Sequence, residues 1–190
     1  MTLYNKLIER KRKWTPVEMQ AGKLKPGAEE AIFRALALRN LELPVGEFIA
    51  SGLKGEVPKE AQEILKLNII DEENHDTALG FAARAHGTDP QSEAEAEKLR
   101  EAWESHQDHT VCKAMVLERS VFFVILPFFR FCGDAGLRSV SQDISRDEQI
   151  HVATNSLVCA ELGLKASPSL DKLRKATIAW VMQPLQAKND

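Results

Sequence analysis

Asp71-Glu72-Glu73-Asn74-His75 and Arg146-Asp147-Glu148-Gln149-Ile150-His151 are the two stretches that decide how this chain of 190 residues folds. Both contain Glu-x-x-His. On a helix, residues three apart lie on one face, one turn apart, so each motif presents a carboxylate and an imidazole together. Such a pair can bind one ion, and its carboxylate can reach a second. Leu67, Ile70, Leu79 and Ala82 accompany His75 at helical spacing, and Ile144, Leu157 and Val158 accompany His151. Both motifs therefore border apolar stripes, which turns their acids inward. Inward carboxylates are costly unless they are paired or hold a cation.

The same reasoning adds Glu118, an acid set among Met115, Val116, Leu117, Val121 and Phe122. Upstream, Glu42 lies between Leu41 and Leu43, with Glu47 as the alternative. Two Glu-x-x-His motifs plus one acid from each of two other helices make up the ligand set of dinuclear carboxylate bundles. The expected metal ligands are thus Glu42, Glu72, His75, Glu118, Glu148 and His151. His106-x-x-His109 has a competing metal spacing but lies in the polar run Glu104-Ser105-His106-Gln107-Asp108-His109, which reads as a solvated face. His86, near a helix end, reads as a cap or an exposed residue. Phe122, Phe123, Phe128, Phe129 and Phe131 read as core, able in part to wall a substrate or oxygen pocket.

Glycine and proline punctuate the chain. A first long helix fits 27–51, with Ile32, Leu36 and Leu43 on its apolar face and a bend at Pro44-Val45-Gly46. A second fits 58–86, opened by Pro58 and stopped by Gly87. Thr88-Asp89-Pro90 caps a third that reaches Phe131, with a kink at Pro127. A fourth fits 137–162 and stops at Gly163; Pro168 opens a fifth, to about Met182. No stretch alternates apolar and polar residues convincingly, and no Asn-Gly hairpin signal appears. The expectation is an all-α single domain: an N-terminal arm over 1–26, an antiparallel four-helix bundle over 27–163, and a C-terminal helix and tail over 164–190.

Composition narrows the class. Hydrophobic residues make up 44% and charged residues 28%, as in an ordinary soluble globular protein. A net charge of -3 gives no basic surplus for nucleic acid. The basic run Glu9-Arg10-Lys11-Arg12-Lys13 reads as a solvated face or a subunit contact. The three cysteines, Cys112, Cys132 and Cys159, are widely spaced and odd in number, which argues against a disulfide framework and for a reducing cytosol, with the thiols as buried spectators. The N-terminus has no apolar signal core, and the run 121–132 is broken by Pro127 and Arg130, too short to span a bilayer.

Leu117-Glu118-Arg119-Ser120-Val121-Phe122-Phe123, followed by Ile144-Ser145-Arg146-Asp147-Glu148-Gln149-Ile150-His151, resembles the small subunit of class I ribonucleotide reductase, within the ferritin-like superfamily. Asp71 to His75 is similar to that family's first Glu-x-x-His, and Trp14-Thr15-Pro16-Val17-Glu18 to its N-terminal Trp-x-x-Glu-Glu. The resemblance covers scattered motifs over about 12–160. It implies a ferritin-like bundle holding two iron ions, or manganese and iron, or two manganese ions, with dioxygen as oxidant. It implies a relay His75–Asp147–Trp14, and by the family's habit a homodimer. The family's radical tyrosine falls four residues after the first metal histidine, where this chain has Leu79; its single tyrosine is Tyr4. The tail tyrosine is missing too, and the chain is shorter than the family's.

The resulting expectation is a cytoplasmic dioxygen-activating dimetal oxidoreductase or oxygenase acting on a small molecule, with Asp147 and Trp14 assisting and no tyrosyl radical. The alternatives are a compact reductase subunit that works with a large catalytic partner, ferritin-like iron oxidation and storage, and a metal-free bundle with salt-bridged acids.

Overall fold

The computed structural model describes residues 2–55 and 57–186; residues 187–190, the end of the expected C-terminal tail, lie outside them. Among the described residues all regular structure is helical, with no strand. After a short α1 (Leu3–Glu9), an extended arm crosses the surface to α2 (Glu29–Ala37). Then follow α3 (Glu42–Leu53), α4 (Gln62–His86), α5 (Pro90–Ser105), α6 (Thr110–Val116), α7 (Phe123–Cys132), α8 (Ala135–Glu161) and α9 (Pro168–Gln186). α3 packs on α4 and α6, and α8 packs on α4, α6 and α7; α9 lies against α2 and α5. No helix of the described residues is long and apolar enough to cross a membrane.

The caps follow local chemistry. Asp89 accepts a hydrogen bond from the Ser92 amide at 2.8 Å with Pro90 in the first turn of α5, and Asp134 accepts one from the Leu137 amide at 2.8 Å to open α8. α4 ends at Gly87 with φ 82°, a left-handed conformation that only glycine adopts without strain. Asp134 has a second task. It meets His86 Nε2 at 3.1 Å and the Gly22 amide, so the end of α4, the start of α8 and the arm converge on one buried carboxylate. His86 is therefore not an exposed cap, because its ring finds a buried anionic partner.

The first and third expected helices are each divided. A 3-10 turn, Leu38–Leu41, separates α2 from α3, so the irregularity lies before Glu42 and not at Pro44. The third stretch breaks at His106–His109 between α5 and α6, although it contains neither glycine nor proline there. Lys113 explains the break: its buried ammonium donates to the carbonyls of Trp103, Glu104 and His106 at 3.0, 3.0 and 3.1 Å, satisfying the end of α5. His109 Nδ1 accepts from the Val111 amide at 3.3 Å and starts α6.

Between α6 and α7 the helix widens into a π segment, Leu117–Phe122. Pro127 lies inside α7 and withholds the amide that the Phe123 carbonyl would otherwise receive, so the helix is already irregular at the turn that follows the π segment. Several apolar residues face outward against expectation: Leu43 is 46% exposed, Ile70 54%, Phe123 38% and Phe131 72%. The true inward stripe of α4 is Ile64, Leu65, Asn68, Glu72, His75 and Leu79.

Candidate metal centre

Four elements supply the six side chains. Glu42 opens α3, Glu72 and His75 lie mid-α4, Glu118 lies in the π segment, and Glu148 and His151 lie mid-α8. All six are buried, none more than 1% exposed. Two groups could hold a metal ion: Glu42, Glu72, His75 and Glu148, and Glu72, Glu118 and His151; within each, the ligand atoms lie within 4.8 Å of one another. Glu47, the alternative to Glu42, is exposed and stands apart. A 3-10 turn just before Glu42 sets the register that buries it.

The geometry has an approximate twofold character. Glu72 presents Oε1 to His151 Nδ1 at 2.8 Å and Oε2 to His75 Nδ1 at 3.5 Å. Glu148 presents Oε1 to His75 Nδ1 at 3.4 Å and Oε2 to His151 Nδ1 at 3.8 Å. Each motif carboxylate thus turns one oxygen toward each histidine, an arrangement that would allow it to be shared between two ions. Glu42 approaches only His75, at 3.7 Å, and Glu118 only His151, at 3.7 Å, so each would serve a single ion. The two imidazoles stack with centroids 5.6 Å apart.

The residues fit a pair of cations on an observation internal to the site. Both oxygens of Glu42, Glu72 and Glu148, Oε1 of Glu118 and Nδ1 of both histidines have no hydrogen-bond partner. So many buried acceptors left orphaned are uncommon, and a cation satisfies them together. Four carboxylates are also balanced in charge by two divalent ions.

Each histidine turns its other nitrogen to an aspartate. His75 Nε2 lies 3.3 Å from Asp147, and His151 Nε2 lies 2.9 Å from Asp71. A carboxylate there holds the proton on Nε2 and leaves Nδ1 as the ligand atom. Trp14 Nε1 donates to the same Asp147 oxygen at 2.6 Å, and its ring stacks on His75 at 6.2 Å. On the other side Lys11 pairs with Asp71 and donates to Asn68 at 2.9 Å. Arg12 approaches Asp147 at 3.8 Å and Asp143 at 3.2 Å. Of the run at 9–13, Glu9, Arg10 and Lys13 are exposed as a solvated face would be, but Lys11 and Arg12 are drawn in by two buried aspartates.

Electrostatics follow from the crowding. Burial, with Glu72 and Glu148 nearby, raises Glu42 well above the usual carboxylate range, and burial with Glu148 and Glu72 does the same to Glu118. Burial raises Glu148 as well. Burial also works on Glu72, but His151 and His75 more than offset it and hold Glu72 low. Burial alone lowers a histidine; Glu148, Glu72 and Asp71 reverse this at His151 and carry it up to about 10. Burial disfavours the Asp147 anion too, yet the His75 and Trp14 hydrogen bonds keep it below its ordinary value.

Asp71, Lys11, Arg12 and Asn155 are contributors that motif reading missed. Asn155 Nδ2 donates to Glu118 Oε2 at 2.6 Å and leaves Oε1 turned toward His151. A signal for Asp71 was present: aspartate precedes glutamate in both motifs, so the repeat is Asp-Glu-x-x-His. Leu79, one turn after His75, is fully buried core, and Tyr4 donates to Glu161 at 2.9 Å, far along α8. His106 meets Ser169 at 3.2 Å, and neither it nor His109 joins the centre. The three cysteines are free thiols, Cys112 and Cys159 buried. Comparison of the chain with protein-family models, curated proteins and solved structures yields no match.

Proposed function

We propose that this protein is a dioxygen-activating dinuclear metal oxidoreductase on a ferritin-like four-helix bundle, working without a tyrosyl radical. The observation that carries the reading is that Glu72 and Glu148 each turn one oxygen toward His75 and the other toward His151, so that both could be shared if two ions bound. Carboxylate and imidazole donors suit iron and manganese. When bound, two reduced ions of that kind supply the electrons that dioxygen accepts in pairs.

The chain's own residues do the rest. Asp147 and Asp71 fix the histidine tautomers, so both Nδ1 atoms are available as ligands. All six candidate ligands are removed from solvent, which strengthens every charge interaction among them. Leu79 offers no oxidisable hydroxyl, so an oxidant formed at the centre has no neighbouring tyrosine to consume it.

A reductase-subunit role is the second reading, favoured by the Trp14–Asp147 contact of 2.6 Å. The deciding experiment is anaerobic reconstitution with ferrous iron, metal analysis, then exposure to dioxygen in a stopped-flow spectrometer with an oxygen electrode alongside. The reading requires about two ions per chain and rapid oxygen uptake; a chain that takes up no metal, or a loaded chain inert to oxygen, refutes it.

A further inference from the structure

Between α3 and α4 lies a cleft of about 240 Å³ whose lining includes Glu72, one of the six candidate ligands. One wall is a single face of α3, where Leu43, Gly46 and Ala50 recur at helical spacing; Ile69 of α4 stands opposite. The inner end is Glu72, 1% exposed, with neither carboxylate oxygen hydrogen-bonded. The outer end carries Glu47 and Glu73, both exposed, and no lysine, arginine or histidine lines the cleft.

Gly46 lines the cleft next to Glu72. A Cβ there would lie 3.5 Å from the Glu72 Cβ and 3.9 Å from the Ile69 Cγ2, which is ordinary packing distance. A methyl group is thus tolerated, yet it fills the space where the cleft meets Glu72. Glycine is a poor helix former, and its presence in α3 leaves this passage open.

We infer that the cleft binds a small aliphatic amine, its ammonium held between Glu47 and Glu73 and its hydrocarbon end directed past Gly46 toward Glu72. The inference rests on the dinuclear reading above, because it is the shared ligand Glu72 that makes the inner end a reactive one. Three features select this class. The volume is below that of sites for drug-sized ligands, so the occupant is small. The acidic mouth attracts a cation and repels carboxylates and phosphates, which excludes fatty acids and nucleotides. The apolar wall of Leu43, Ala50 and Ile69 suits a carbon chain and gives nothing to a hydrated metal ion passing the same way.

The test is calorimetric titration of the metal-loaded protein with n-butylamine, n-butanol and butyrate. The amine binds about tenfold more tightly than the alcohol, as two partly exposed ion pairs allow, and butyrate gives no binding. The double variant Glu47→Gln, Glu73→Gln abolishes the preference for amine over alcohol. Gly46→Ala weakens amine binding at least about tenfold with thermal midpoint and metal content unchanged. Should Gly46→Ala disturb the metals, Ala50→Leu narrows the outer wall without approaching Glu72 and gives the same block. Butyrate binding as well as butylamine, or unchanged butylamine affinity in both wall variants, overturns the inference. A chain carrying its two ions that binds no amine sinks this inference alone, whereas a chain that takes up no metal overturns the dinuclear reading and this one with it.

Discussion

Raising the pH is expected to destabilise the metal-free protein and leave the metal-loaded one largely unaffected. His151 carries the effect. Its Nδ1 lies 2.8 Å from Glu72 and its Nε2 2.9 Å from Asp71, and these partners with Glu148 raise it from 6.5 to about 10. A group whose pKa is raised by folding adds stability that is fully present below its unfolded value and lost as pH climbs through its folded value. The window is therefore pH 6.5 to about 10. Between pH 6.5 and about 9, with one pKa unit worth about 1.4 kcal/mol, the loss from His151 comes to about 3 kcal/mol. His75, Glu42, Glu118 and Glu148 are raised as well and act in the same direction. Glu72 is lowered, so its contribution is lost only in acid, below 4.5. For a domain of this size a kcal/mol moves the midpoint by about 2–4 °C, giving a fall of roughly 6–12 °C. In the loaded protein a metal takes the place of the Nδ1 proton, so this loss disappears and the gap between the two forms widens with pH. Scanning calorimetry across this range, with chelator and with ferrous or manganous ion, measures both curves. A chelated protein whose midpoint stays level or rises refutes the reasoning.

Glu118→Gln removes a terminal ligand from one group and leaves Glu42, Glu72, His75 and Glu148 intact, so metal analysis should fall from about two ions per chain to about one. Lys11→Met strips the cation from Asp71 while leaving every ligand in place; chelator competition should show affinity weakened about 10- to 100-fold, as losses of outer hydrogen-bonding partners do. Lys113→Met leaves three helix-end carbonyls without their buried donor, and urea unfolding should show a loss of about 3 kcal/mol with metal content unchanged.

What could be read in the sequence was what helical spacing makes local. Glu72 with His75, and Glu148 with His151, are three residues apart, so their shared face needs no knowledge of tertiary structure. Glu118 was visible because an acid in an apolar run has nowhere to go but inward. Contacts between distant segments were not visible. Lys11 reaches Asp71 across 60 positions, and nothing local separates a basic residue bound for solvent from one bound for a buried anion. The break at His106–His109 was hidden for a similar reason: its cause is Lys113, a residue in the next helix, and not a residue in the break. The π segment around Glu118 likewise follows from a balance of packing and hydrogen bonding that no motif encodes.

The arm gains its meaning from charge. Glu42, Glu72, Glu118 and Glu148 would be matched by two divalent ions, but Asp71 and Asp147, buried just behind the histidines, would not. Buried anions of this kind need cations of their own. Lys11 answers Asp71, and Arg12 answers Asp147 with help from the Trp14 indole. The one dense basic run in a chain of net charge -3 thus includes the two cations placed where the helical core carries its unmatched negative charge. Both aspartates face a candidate ligand histidine, so the arm acts on the centre through them: Lys11 and Arg12 pair with Asp71 and Asp147, and those carboxylates keep both Nδ1 atoms turned inward. The arm before α2 thus belongs to the candidate centre, although none of its described residues is among the candidate ligands.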